Sequence, residues 1–108
     1  MIILIIGGAF QGKTEFADSF NKPVINGLHE IIRDLYVKGA ADIENEVMSL
    51  LASGDVVVVS DEIGCGIIPL GREEREYREI EGRILCEVAK KAQVVYRMQA
   101  GISVKIKG

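Results

Sequence analysis

Residue types that mark several classes of protein are scarce in this chain of 108 residues, which has two cysteines, two prolines, one histidine and no tryptophan. Cys65 and Cys86 have neither the spacing of metal ligands nor the density of a secreted disulfide framework, so we expect reduced thiols in the cytoplasm. No apolar run is long enough to span a bilayer. The apolar start at residues 2–6 lacks the basic residues that begin a signal peptide. These scarcities argue against the secreted and membrane-spanning classes.

A strong charge bias is absent as well, since 13 Lys and Arg residues stand against 16 Asp and Glu residues, for a net charge of −3. This balance gives no general attraction to nucleic acid or to anionic membranes. Hydrophobic residues form 48% of the chain and charged residues 27%, which is typical of a globular protein and not of a disordered one. We therefore predict a single domain over residues 1–108, with neither nucleic acid nor a membrane as a partner.

The most specific motif follows the apolar start. It fits the phosphate-binding pattern G-x-x-x-x-G-K-[ST] with Gly7, Gly8, Ala9, Phe10, Gln11, Gly12, Lys13 and Thr14. Glycines let backbone N–H groups curl around phosphate oxygens, and the start of the helix predicted after them adds its positive dipole end. Lys13 can reach the β- and γ-phosphates of a nucleoside triphosphate, and the Thr14 hydroxyl can bind Mg²⁺. This glycine-rich loop, residues 7–14, therefore predicts nucleotide binding.

Two acids follow a second apolar run, the consecutive valines at residues 56–59. Such a run is typical of a central strand buried on both faces, and open α/β sheets bind their ligands at the carboxyl ends of their strands. One of Asp61 and Glu62 can hold Mg²⁺ opposite Thr14, and the other can orient or deprotonate an attacking hydroxyl or water. The sequence does not decide between them. We favour Asp61 for the metal, and Lys13 and Glu62 as the catalytic residues.

Strand and helix patterns alternate along the chain. A strand is predicted before the glycine-rich loop and a helix after it, then a short strand at residues 24–26, helices beginning at Leu28 and after Asp42, the valine strand, a helix over 72–91 and a hairpin with strands at 94–98 and 102–106. This alternation predicts an α/β, P-loop NTPase-like fold of three layers. Its sheet has about five strands, mostly parallel, and ends in a hairpin whose last strand is antiparallel.

The remaining polar residues give weaker signals. His29 is the only histidine; it lies among the apolar residues of a predicted helix, where we expect a structural or pocket-lining role. The arginines of the long helix alternate with glutamates, a pattern typical of a solvated face. The guanine-reading motif Asn-Lys-x-Asp is absent, because Asn21-Lys22-Pro23-Val24 fails at its last position. The choice between ATP and GTP therefore stays open.

Three separated motifs resemble those of one known family. They are the glycine-rich loop, the stretch Ser60-Asp61-Glu62-Ile63-Gly64-Cys65-Gly66-Ile67-Ile68-Pro69 with Tyr77-Arg78-Glu79-Ile80 and Gly82-Arg83 after it, and the closing Gly101-Ile102-Ser103-Val104-Lys105-Ile106-Lys107. In this order they resemble the adenosylcobinamide kinase/adenosylcobinamide-phosphate guanylyltransferase family. The resemblance implies a P-loop kinase fold, a nucleoside triphosphate with Mg²⁺, a corrinoid substrate of cobalamin salvage, and a cytoplasmic homo-oligomer.

The chain also departs from that family's pattern. Family members are longer, and the missing segment falls before the second predicted strand; there the family carries a further strand and the histidine that becomes guanylylated, which His29 does not replace. Asn26 stands where the family has an acid, and Asp61 where it usually has asparagine. Phe10 and Gln11 replace small residues of the loop. We therefore predict that the phosphate site is kept and that guanylyl transfer is lost.

Two classes of function fit these features. The first is a Mg²⁺-dependent phosphotransferase or NTPase, and the second is a non-catalytic module that senses a nucleotide or docks on another protein. The joint presence of Lys13, Thr14, Asp61 and Glu62 favours the enzyme, because a binding module does not need the whole set.

Overall fold

The computed structural model describes residues 1–61 and 71–108. In chain order, its elements are β1 (Ile2–Gly7), α1 (Lys13–Asp18), β2 (Val24–Asn26), α2 (Leu28–Val37), α3 (Ile43–Leu50), β3 (Val56–Asp61), α4 (Arg72–Lys91), β4 (Val94–Gln99) and β5 (Ile102–Lys107).

The strands form one sheet in the order β2-β3-β1-β4-β5. Strands β2, β3, β1 and β4 are parallel, and β5 is antiparallel to β4. The structure thus confirms the predicted α/β fold with a mostly parallel sheet and a closing hairpin. Because β1 lies at the centre of the sheet, the loop that follows it lies at the middle of the carboxyl edge.

Alternation along β1 explains the three layers. Ile2, Leu4 and Ile6 face a core that includes residues of α2, α3 and α4. Ile3 and Ile5 face the opposite way, against Ala17 of α1 and the aromatic rings packed beside it. Successive side chains of a strand point to opposite faces, so a continuous apolar run is required where helices cover both faces. No described helix combines the length and apolar character needed to cross a membrane.

The ends of several elements follow local rules. The Asp42 side chain accepts a hydrogen bond from the backbone N–H of Asn45 at 3.1 Å and caps α3, the helix that the sequence predicts after Asp42. The turn between β4 and β5 consists of Ala100 and Gly101, with φ angles of 49° and 77°. Positive φ at both positions is the requirement of the tight two-residue hairpin turn, which fixes the antiparallel pairing of β5.

Candidate functional site

The glycine-rich loop joins β1 to α1 at the carboxyl edge of the sheet. Its backbone curls strongly, since Gly12 has a φ of 86° and Phe10 a φ of 61°. The left-handed region is rare for a residue with a large side chain and is found most often at functional sites. The Phe10 ring is fully exposed, so no packing against the protein compensates for this conformation.

Gly7, the last residue of β1, lies close to the backbone of β4. A Cβ atom at Gly7 would lie 2.6 Å from the carbonyl oxygen of Met98. Only a residue without a side chain fits there, and the glycine therefore sets where the loop leaves the sheet. The sequence motif predicts a glycine here because the loop backbone must curl around phosphate. The structure adds a second, steric reason for this glycine.

Lys13 is buried, with only 7% of its surface exposed. Its ammonium donates to the carbonyl oxygen of Gly8 at 2.5 Å and lies 2.8 Å from Oδ1 of Asp61. A buried ammonium is strongly destabilising unless it is paired and hydrogen-bonded. The structure therefore brings together the lysine of the loop and one of the acids predicted beside it.

Asp61 is the last residue of β3 and pairs in register with Gly7. Its carboxylate is 30% exposed and lines the same cavity as Lys13 and Thr14. Glu62, the predicted base, lies outside the described residues.

His29 lies in the first turn of α2, directly against Asp61. Its Nδ1 accepts the backbone N–H of Asp61 at 3.0 Å, and its Nε2 lies 3.5 Å from Oδ2 of the same residue. The Tyr77 hydroxyl donates to the His29 carbonyl oxygen at 2.8 Å. His29 is thus a pocket-lining residue, as expected, but its partner was not foreseen. The sequence did contain a signal for this contact. His29 follows the end of β2, Asp61 ends β3, and the carboxyl ends of neighbouring parallel strands lie close together.

The side chain of Gln11 contacts the other side of the loop. The backbone N–H of Ala100 donates to Gln11 Oε1, and a Cβ atom at Gly12 would lie 3.7 Å from the Cα of Gly101. The hairpin turn therefore supports the loop, with residue 11 as the link. The sequence predicted Gln11 only as a member of the phosphate loop.

These groups surround a cavity of about 680 Å³, lined by residues 9–15, Asn26, Gly27, His29, Glu30, Val59 and Asp61. This volume is in the range of small-molecule sites. Among the described residues, its charged lining consists of one ammonium, on Lys13, and the carboxylates of Glu15, Glu30 and Asp61. Since acids outnumber the base among these residues, a divalent cation would strengthen the binding of a triphosphate.

The donor set fits Mg²⁺ held jointly with a phosphate ligand. Among the described residues, no cluster of three or more His, Cys, Asp or Glu side chains could hold a metal by itself. Mg²⁺ commonly takes one or two protein oxygens, with phosphate oxygens and waters completing its shell. Thr14 and Asp61 both line the cavity and provide oxygen ligands of this kind.

Comparison with known proteins shows which family the chain resembles. The model described as cobinamide kinase / cobinamide phosphate guanyltransferase matches residues 24–106. The bifunctional adenosylcobalamin biosynthesis protein CobU of Escherichia coli (strain K12) is 40% identical over 70 residues. Its counterpart from Salmonella typhimurium (strain LT2) is 39% identical over 70 residues. Each alignment covers 60% of this chain but only 39% of the relative, and the glycine-rich loop precedes the residues that the family model matches.

Proposed function

Because the chain belongs to the cobinamide kinase / cobinamide phosphate guanyltransferase family, we propose that it binds a nucleoside triphosphate with Mg²⁺ and transfers a phosphoryl group to a corrinoid. The acceptor is a hydroxyl group of an adenosylcobinamide-type substrate, as the family description and the names of the relatives suggest. The proposed setting is the cytoplasm, and either ATP or GTP is the donor.

The proposed phosphate site uses the glycine-rich loop. Backbone N–H groups of residues 8–14 are proposed to bind the phosphates. The positive φ angles of Phe10 and Gly12 support this proposal, because a loop that curls in this way can turn successive amides toward an anion. Little covalent chemistry falls to the protein in phosphoryl transfer, so positioning and charge stabilisation carry the reaction.

The contact between Lys13 and Asp61 is the observation that carries the proposal. The Lys13 ammonium lies 2.8 Å from Asp61 Oδ1. With a nucleotide bound, Lys13 would contact the β- and γ-phosphates, and Asp61 and Thr14 would hold Mg²⁺. The metal neutralises charge on the transferring group. Glu62, the next residue along the chain, is proposed to orient or deprotonate the acceptor hydroxyl.

Guanylyl transfer is not part of the proposal. The resemblance assigns that reaction to a histidine on a segment between the helix after the loop and the next strand. Here α1 ends at Asp18 and β2 begins at Val24, which leaves no room for a further strand and helix.

Self-association is part of the proposal. Ile102, Val104 and Ile106 alternate along β5 and are exposed, and β5 lies at the edge of the sheet. An exposed apolar stripe on an edge strand is typical of an interaction surface. A second copy of the chain is the proposed partner.

The first test measures nucleotide binding by thermal unfolding. Mg²⁺ with ATP or GTP at 100-fold over its Kd stabilises a folded protein by about 2.7 kcal/mol. Each kcal/mol raises the Tm of a domain of this size by roughly 4–8 °C, so the shift is easily measured. We expect Lys13→Ala to lose most of it, and Lys38→Ala, an exposed lysine at the end of α2, to keep it. No shift with either nucleotide at millimolar concentration would contradict the proposal.

Turnover separates the enzyme from the alternative. A kinase consumes ATP or GTP faster when cobinamide is added and yields a phosphorylated corrinoid. A non-catalytic sensor or docking module binds nucleotide, shows the same thermal shift and gives no product with or without cobinamide.

A further inference from the structure

We propose that His29 is a positioning residue that fixes the backbone of Asp61 through a hydrogen bond and lies beside its carboxylate. The inference rests on the proposed function, in which Asp61 binds Mg²⁺. It concerns a contact between the start of α2 and the end of β3 that neither the glycine-rich loop nor the acids after the valine strand predict.

The hydrogen bond at Nδ1 decides where the imidazole carries its proton. Nδ1 accepts the N–H of Asp61 at 3.0 Å, so this nitrogen has no hydrogen of its own. In a neutral imidazole the hydrogen then lies on Nε2. Nε2 is 3.5 Å from Asp61 Oδ2 and 3.8 Å from Glu30 Oε1. The ring thus accepts a hydrogen bond from the backbone of Asp61, and its Nε2 lies beside the carboxylate of the same residue.

The imidazole is itself held in place. Its side chain is only 18% exposed, and the Tyr77 hydroxyl binds the carbonyl oxygen of His29 at 2.8 Å. The N–H of Gly27 donates to the Val59 carbonyl oxygen at 3.0 Å, which ties the start of α2 to β3. Three elements, α2, α4 and β3, therefore fix the ring relative to Asp61.

Each oxygen of Asp61 has a different partner. Oδ1 lies 2.8 Å from the Lys13 ammonium, and Oδ2 lies beside His29 Nε2. If Lys13 moved to the phosphates, as the proposed function requires, Oδ1 would be released while the hydrogen bond to Nδ1 still fixed the Asp61 backbone. His29 thus orients the carboxylate that the metal uses, as residues behind metal ligands commonly do.

The experiment measures how much Mg²⁺ is needed for nucleotide binding. Thermal unfolding at fixed nucleotide is followed while Mg²⁺ is titrated, and the half-saturating Mg²⁺ concentration is the readout. We expect His29→Ala to raise it by roughly 10–100-fold, the usual effect of losing a group that orients a metal ligand. The binding of nucleotide without Mg²⁺ should stay unchanged, which a general loss of structure would not produce.

Two conservative variants separate the roles of the ring. His29→Asn places an oxygen near the position of Nδ1 and can still accept the Asp61 N–H, whereas His29→Gln places an N–H near the position of Nε2. We expect each variant to recover part of the Mg²⁺ affinity that His29→Ala loses. Lys38→Ala, at the opposite end of α2, is the matched control and should bind Mg²⁺ like the wild type. If His29→Ala does not fold, the Asn and Gln variants carry the comparison.

The outcomes distinguish this proposal from the one on which it rests. If nucleotide with Mg²⁺ does not stabilise the wild-type protein, the proposed function is wrong, and this inference is wrong with it. If nucleotide with Mg²⁺ stabilises the wild-type protein and the His29 variants need the same Mg²⁺ concentration as the wild type, only the positioning role of His29 is wrong. Intact mass after incubation with GTP and Mg²⁺ gives a further check. One GMP bound covalently, and lost in His29→Ala, would show that His29 is a nucleophile and overturn the positioning role.

Discussion

At the scale of single residues, the buried charge of Lys13 is the feature of the site that most needs compensation by neighbouring groups. An ammonium with 7% exposure loses most of its hydration, and Asp61 and the Gly8 carbonyl compensate for that loss. Removing one partner of a buried pair costs far more than the pair contributes, because the remaining charge is left uncompensated. Asp61 and the Gly8 carbonyl oxygen therefore keep the lysine in the site.

The two acids after the valine strand should have separable effects. Asp61→Ala is expected to raise the half-saturating Mg²⁺ concentration by at least roughly tenfold, since even groups behind a metal ligand contribute that much. Glu62→Gln should leave nucleotide binding nearly intact and slow turnover by roughly 10²–10⁴-fold, the range of a general base. Binding isotherms with and without Mg²⁺, and steady-state rates, measure the two effects. Unchanged turnover in Glu62→Gln would refute the base assignment.

The sequence predicts residues of the site where local chemistry determines the role. Lys13 and Asp61 follow from a loop motif and from a strand end, and the structure places them 2.8 Å apart. The contacts of His29 and Gln11 were not predicted. They depend on which strands are neighbours and on where the hairpin turn falls, and these are long-range properties of the sheet that no single segment specifies.

At the scale of elements, the packing of β1 against β4 depends on Gly7. Gly7→Ala introduces a Cβ atom 2.6 Å from the Met98 carbonyl oxygen, so the strands must separate at the carboxyl edge. We expect a loss of about 1–3 kcal/mol in the free energy of unfolding, typical of overpacking. Urea denaturation measures it as a lower midpoint at an unchanged slope.

Gly8→Ala is the matched control for this substitution. Among the described residues, its Cβ atom would meet only Gln11 Cγ, at 3.8 Å, an ordinary van der Waals contact. Its midpoint should stay near that of the wild type. Equal midpoints for Gly7→Ala and the wild type would show that the strands tolerate the added methyl group.

Helices α2 and α4 are joined through Tyr77. Its hydroxyl donates to the His29 carbonyl oxygen, and the Arg33 guanidinium lies 4.1 Å from the centre of its ring. Arg33 also binds Glu74 at 2.8 Å, and this hydrogen bond raises the pKa of Arg33. The start of α2, which carries His29, is thus fixed from the side of α4.

Burial raises the pKa of Tyr77 above its ordinary value of 10.0, which predicts a dependence of stability on alkaline pH. The unfolded chain releases the phenolic proton more readily than the folded one. The stability from this residue is therefore complete below about pH 10 and is lost as the pH rises through the folded pKa. We expect Tyr77→Phe to flatten this alkaline loss. At neutral pH the variant should lose about 1 kcal/mol with the hydrogen bond. Urea denaturation across the pH range checks both effects, and an equally steep alkaline loss in the variant would contradict the assignment.

At the scale of the whole molecule, the strand order places the candidate site at the centre of the sheet and the exposed apolar residues of β5 at the edge of the sheet. The apolar runs of β1 and β3 and the amphipathic spacing of the helices made this architecture predictable from the sequence, because burial on two faces demands such runs. The hairpin was predictable from its turn residues and flanking strands. The neighbours of β1 were not predictable, since parallel strands joined through helices can pair in several orders.

The edge stripe predicts self-association. Val104→Lys places a charge in the middle of the exposed residues Ile102, Val104 and Ile106, and we expect it to weaken association by at least about tenfold, or 1.4 kcal/mol. Sedimentation velocity over a range of concentrations measures this. Ser103→Lys, on the alternate face of the same strand, should associate like the wild type. Identical concentration dependence for Val104→Lys and the wild type would exclude this surface.

The hydrogen bond between Ala100 and Gln11 has a consequence for the entropy of binding. Fixing the backbone of one residue costs about 1–2 kcal/mol of conformational freedom, and a loop that binds phosphate through its amides must be ordered when it does so. Here part of that ordering takes place during folding, when a turn 89 residues away binds the side chain of Gln11. A loop that is preorganised in this way gives up less freedom on binding. If the loop binds phosphate as proposed, we expect the hairpin turn to contribute to the affinity through Gln11.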